Sequence, residues 1–198
     1  MRRWPAHALP IVALVAVGAA AGSPERIQPA IGVGKVRLGM TAADVRAALG
    51  KPDVVFSRQG SFGRRASEWQ YDVSAYVITF TGPAARLRVS AVATTDRRQR
   101  TPEGIGAGSL ETAVQRTYGA RLRCAKLHIG AATAIHSSAV VVLENRRSCT
   151  LAGRGAETVF VSSVPLSRYD GYVPPSRWPR EARVYEVVVR RASFSPEY

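Results

Sequence analysis

Four residues in the C-terminal half have the types a metal site needs: Cys124, His128, His136 and Cys149. Thiolate and imidazole are ordinary zinc ligands, so the Cys-x3-His pair with the further His and Cys can be drawn as a tetrahedral set. The spacing is irregular for such a site, and two cysteines in an exported chain read first as a disulfide. A Cys124–Cys149 bond spans 149 − 124 = 25 residues, which corresponds to about 3.5 kcal/mol of stabilisation in the chain-entropy model. The reading is therefore a disulfide, with no metal and no cofactor, and the histidines are left as strand or loop surface residues.

Catalytic chemistry is sparsely encoded. Gly104-Ile105-Gly106-Ala107-Gly108 invites a phosphate-loop reading, but the dinucleotide pattern needs another glycine where Ser109 stands. Gly34-Lys35-Val36 lacks the hydroxyl residue that follows a P-loop lysine. The acids are dispersed, and no pair announces a glycosidase arrangement. The expectation is a protein that is not an enzyme.

Binding chemistry is denser. The stretch from Pro165 to Arg180 gathers Arg168, Tyr169, Tyr172, Arg177, Trp178 and Arg180 among several prolines. Aromatics and arginine dominate interaction hot spots, and a proline-stiffened loop loses few states on docking. These six are the candidate binding residues. The competing reading folds the loop over the sheet, with Trp178 plugging a core edge.

Two short helices must hold such a loop in place. Gly39 to Gly50 and Gly108 to Gly119 carry the same pattern at an offset of 108 − 39 = 69 residues, with Val45 aligned on Val114 and Leu49 on Tyr118. In the first copy Thr41 is placed as N-cap, Asp44 completes a capping box, Gly50 ends the helix and Pro52 forbids its continuation. In the second, Ser109 is the expected cap and Glu111 favours the positive end of the helix dipole. All four aligned apolar residues are expected to be buried.

Alternation places strands at 68–73, 75–81 and 86–95 in the first half. β-branched runs place them at 134–143, 157–164 and 183–191 in the second. Residues 51–67 read as a polar connection. The 96–102 run, Asp96-Arg97-Arg98-Gln99-Arg100-Thr101-Pro102, reads as a solvated hinge or an anion-binding one.

The Leu38-Gly39-Met40-Thr41 start, Asp44-Val45, Leu49-Gly50-Lys51-Pro52-Asp53 and the strand bearing Trp69 together resemble the small α+β module of the SmpA/OmlA (BamE-like) envelope lipoproteins. Two such modules in tandem are similar to the secreted β-lactamase inhibitor protein (BLIP-like) fold. The resemblance covers roughly residues 34–192, and the second copy lacks the proline. It implies an α+β fold of two tandem modules, each a short helical segment on a three- to four-stranded antiparallel sheet. It implies scaffold, inhibitor or protein-binding roles, and the lack of a lipobox cysteine departs from the lipoproteins. The corresponding division is 1–21 signal, 22–33 extended lead-in, 34–95 first module, 96–103 linker, 104–192 second module and 193–198 tail.

Arg2 and Arg3, the uncharged apolar run from Ala8 to Gly18 and Ala19-Ala20-Ala21 read as an export signal, with an uncleaved anchor as the alternative. The expected location is secreted or periplasmic, with no stable membrane span after cleavage. A net charge of +14, or 26 − 14 = +12 without Arg2 and Arg3, favours an anionic partner such as an acidic protein, a wall polymer or lipid head groups. Nucleic acid is not the expected partner. The function expected is a binding or scaffold module working through protein contacts in the envelope or outside the cell. The alternatives are a basic module on anionic polymer or membrane, and a secreted enzyme inhibitor of the BLIP-like type.

Overall fold

The computed structural model describes residues 26–59, 64–83, 86–127, 144–165 and 179–193. Three two-residue strands open it: β1 (Ile27–Gln28), β2 (Gly32–Val33) and β3 (Val36–Arg37). Helix α1 (Ala42–Leu49) follows, then β4 (Val54–Gln59), β5 (Arg64–Tyr71), β6 (Tyr76–Pro83) and β7 (Arg88–Thr94). The second half repeats the series with α2 (Glu111–Tyr118), a 3-10 turn at Gly119–Arg121, β8 (Leu122–Leu127), β9 (Glu144–Ala152), β10 (Ala156–Pro165) and β11 (Arg183–Arg191). The fold is α+β, with antiparallel sheets.

Strands β4 to β11 form one sheet in the order β4-β5-β6-β7-β11-β10-β9-β8. The order is mirrored about the β7–β11 pair, which is antiparallel with Val187 opposite Thr94 and Arg190 opposite Ala91. Each helix enters in the same way. Gly39 N donates to Val89 O at 2.8 Å and Val89 N to Met40 O at 2.9 Å, while Gly108 N donates to Val184 O at 2.7 Å and Val184 N to Ser109 O at 2.9 Å. Both helices span eight residues at an offset of 111 − 42 = 69. The bulges correspond as well: the register skips Ser90 against β6 and Tyr185 against β10, at an offset of 185 − 90 = 95.

One face of the large sheet holds the core. Tyr76, Ile78, Phe80, Val92, Phe160, Val187 and Val189 lie there, under Val45 from α1, Val114 and Tyr118 from α2, and Ile27, Val33 and Val36 from the small sheet. Tyr118 stacks on Phe160 with centroids 5.5 Å apart, and Ala30 N reaches Thr158 Oγ1 at 2.9 Å. Both helices and the small sheet are therefore on this face.

Several expectations are corrected. There are not two separate sheets of three or four strands, because β7 and β11 pair and leave each other no free edge. The 22–33 lead-in, where described, is not a bare extended segment: Ile27 and Val33 are fully buried, and β1 to β3 form a sheet. The 51–67 connection contains β4 and the start of β5. The 96–103 hinge is packed, since Gln99 is 0% exposed with its Nε2 donating to the Tyr76 hydroxyl at 2.9 Å, and Thr101 is buried.

Ser109 does not cap α2. Leu110 occupies the N-cap position without a side-chain bond, while the Ser109 hydroxyl accepts from Gly106 N and from Arg100. Val45, Val114 and Tyr118 are buried, but Leu49 is only partly so. The strand expected at 134–143, with His128 and His136, lies outside the described residues, as do the 1–21 signal and the 194–198 part of the tail.

Candidate binding surface and basic cleft

The capping box of α1 is complete: Thr41 N donates to Asp44 Oδ2 at 2.9 Å and Asp44 N to Thr41 Oγ1 at 3.0 Å. These bonds, first the one from the Thr41 backbone, hold the Asp44 carboxyl below the usual range, and the nearby Arg88 charge adds to them. The start of α2 is fixed differently. Glu111 is buried, accepts from Gln115 Nε2 at 2.9 Å and pairs with Arg147 of β9 at 3.1 Å.

Tyr118 closes α2 onto the segment before it. Its hydroxyl lies 2.9 Å from both Thr101 Oγ1 and Glu103 Oε2. A carboxylate only accepts, so Tyr118 gives its proton to Glu103 and takes one from Thr101. Burial is the first cause pushing the Tyr118 phenol up to about 12. The network fixes the segment leading into α2.

Cys124 and Cys149 are bonded, with Cα atoms 4.0 Å apart as directly opposed residues of β8 and β9. Neither thiolate is left to bind zinc. The same register place in the first half, where 124 − 55 = 69, is held by Val55 opposite Trp69. Trp69 is buried, tilts against Phe80 at 4.6 Å, donates from Nε1 to Ser67 Oγ at 3.1 Å and carries the Arg46 guanidinium 4.7 Å from its ring centroid.

None of the described helices or small strands lies on the opposite face of the large sheet. Pleating sends Ala91 and Ala93 there from β7, Val159 and Val161 from β10, and Glu186 from β11. Arg190 and Glu157 pair across it at 2.6 Å, and Arg146 lies over the Tyr185 ring at 5.4 Å. Burial, more than the neighbouring charges, raises the Glu186 carboxyl above its usual range. At the β4 edge Val54, Val55 and Phe56 are 37%, 49% and 49% exposed.

Of the six candidate loop residues, Arg168, Tyr169, Tyr172, Arg177 and Trp178 lie outside the described residues. Arg180 is exposed, in the turn that Ala182 N closes onto Pro179 O at 3.1 Å. The chain leaves β10 at Pro165 and re-enters β11 at Arg183, so both ends of this connection are at one end of the central strands. At that end is a cleft of about 290 Å3 lined by Thr95, Arg97, Ala107, Gly108, Ser163, Arg183, Val184 and Tyr185. Arg97 comes from the basic run noted in the sequence; the contributions of Ser163 and Arg183 required strand register, which the sequence pattern does not carry.

No protein-family model matches the sequence, and no curated protein matches it. Among solved structures, the crystal structure of the uncharacterized protein yfeY from Escherichia coli matches with a TM-score of 0.49 and 14% identity, over 85% of this chain and 100% of that one. Among the described residues no helix is long and apolar enough to cross a membrane.

Proposed function

We propose that this is an exported, non-catalytic binding protein, acting through protein contacts in the envelope or outside the cell. In this reading it is built from two copies of one small α+β unit of the BamE-like kind, set in tandem as the BLIP-like resemblance implies. The observation that carries the binding role is the exposed apolar run at the β4 edge of the eight-stranded sheet, where Val54, Val55 and Phe56 are 37%, 49% and 49% exposed. The 69-residue helix offset, the mirrored strand order and the matched bulges support the duplication. The disulfide supports folding in an oxidising compartment.

The partner is expected at this sheet edge and on the 165–180 connection. A secreted enzyme inhibitor is a special case of the same reading. A charge-driven grip on wall polymer or membrane is the second reading, favoured by the net charge of +14.

Immobilised protein is exposed to envelope and culture fractions at low and high salt, beside the Tyr172→Ala and Trp178→Ala variants. Protein recognition predicts a ligand retained at high salt and weakened by about 2 kcal/mol or more in the variants, with melting unchanged. Retention only at low salt favours the charge-driven reading, because exposed charges are screened within about 8 Å at physiological ionic strength. A Trp178→Ala variant that melts early yet binds unchanged per folded molecule makes Trp178 a core plug and removes the loop from recognition.

A further inference from the structure

We propose that the cleft between Arg97 and Arg183 is a phosphate-binding site. The inference does not rest on the protein-partner reading. It begins from the matched helix entries, in which a β-bridge joins Thr41 to Arg88 in the first half and Leu110 to Arg183 in the second. The offsets are 110 − 41 = 69 and 183 − 88 = 95, the same as those of the helices and of the bulges.

Asp44, third residue of α1, feels the Arg88 charge, although its hydrogen bonds with Thr41 lower its carboxyl more. The corresponding place in α2 is 44 + 69 = 113, which is Ala113. Arg183 therefore keeps the arginine position of the first half, with alanine standing where the first half has an acid.

What stands around Arg183 instead is a donor-rich hollow. Its NH1 donates to Gly108 O at 2.9 Å, which fixes the guanidinium at the cleft wall while other N–H groups stay unused. Arg97 crosses Gly108 from the other side. A Cβ built on Gly108 would lie 3.5 Å from both its Cδ and its Nε, and Gly108 has φ +86, so glycine both allows the turn and leaves the arginine room. Among the described residues Arg97 has no hydrogen-bond or ion-pair partner. Ser163 stands opposite Arg183 in the strand register, and Thr95 completes the polar lining.

Among the described residues no Asp or Glu lines the cleft. Two guanidinium forks and two hydroxyls approaching from separate elements suit a tetrahedral group with several acceptor oxygens. A planar carboxylate would engage one arginine and leave the other idle.

The test titrates the full exported chain with inorganic phosphate, with acetate for comparison, and with vesicles containing phosphatidic acid or only phosphatidylcholine. The sharpest variant is Arg97→Gln, at an exposed side chain with no hydrogen-bond partner among the described residues, so folding is preserved. Arg183→Gln and Arg88→Gln accompany it. Phosphate should bind in preference to acetate, and Arg97→Gln and Arg183→Gln should each weaken it about tenfold or more, whereas Arg88→Gln leaves it unchanged. If phosphatidic acid vesicles bind and free phosphate does not, with the same pattern across the variants, the site takes its phosphate from a lipid. Binding that Arg97→Gln and Arg183→Gln do not alter, or no binding of either phosphate source, overturns the proposal.

Discussion

The two ends of the large sheet solve one packing problem in two ways. In the first half the edge pair β4–β5 is held by Trp69, wedged against Phe80 under the Arg46 guanidinium, with Val55 opposite it. In the second, the corresponding pair of positions is Cys124 and Cys149, and the place of a large aromatic is taken by a covalent bond. The helices differ in the same sense. α1 begins on a capping box formed within four residues of chain, whereas α2 begins on a Glu111–Arg147 pair reaching to β9. The first half is thus secured by apolar volume and local sequence, the second by a cross-link and by tertiary charge pairing. A shared backbone plan fixes where reinforcement is needed without fixing its chemistry.

The comparison can be tested at the edges first. Trp69→Ala should cost about 3–5 kcal/mol, since it removes a buried aromatic and leaves a cavity; reduction of Cys124–Cys149 should cost about 3.5 kcal/mol. Denaturant unfolding of both checks the values, and a Trp69→Ala variant as stable as the parent protein would end the equivalence of the two reinforcements. At the helix starts, Glu111→Gln should cost about 1–3 kcal/mol by leaving Arg147 without its charge partner in a largely buried place. Thr41→Ala should cost about 1 kcal/mol, the usual value of a lost cap. Thermal melting ranks the two; a larger loss for Thr41→Ala would reverse the assignment of local and tertiary support.

The last effect is an alkaline one, read at Tyr118 in the second half. Native Tyr118 keeps its proton up to about pH 12, while an unfolded tyrosine loses it near pH 10. The native state then binds more protons than the unfolded state between these values. The stability contributed is fully present below the unfolded pKa and is lost as pH rises through the folded one. Tyr118→Phe should therefore flatten the fall in stability between about pH 10 and pH 12, measured by urea midpoints against the parent protein. An unchanged slope would show that the phenol titrates normally.

Much of this was legible in the chain itself. Glycines bracket both eight-residue helices, the capping box of α1 is a local pattern, and with two cysteines the pairing has one solution. The β-branched run of β11 was found at its observed ends, Arg183 and Arg191. These features depend on residues near one another in sequence or on simple composition. Strand pairing does not. The two-residue strands β1 to β3 are too short for any periodicity, and their burial comes from lying on the central strands. β4 reads as a mixed polar stretch because it is an edge strand whose apolar residues remain exposed. Gln99 and Thr101 look like parts of a solvated hinge until Tyr76 and Tyr118 supply hydrogen bonds from distant segments. The cleft has the same origin: Arg97 and Arg183 stand 183 − 97 = 86 residues apart in the chain. Local side-chain chemistry determined the helices and the cross-link, but the β7–β11 pairing that sets two halves edge to edge, and so brings those arginines to one hollow, was decided only by contacts between residues far apart in sequence.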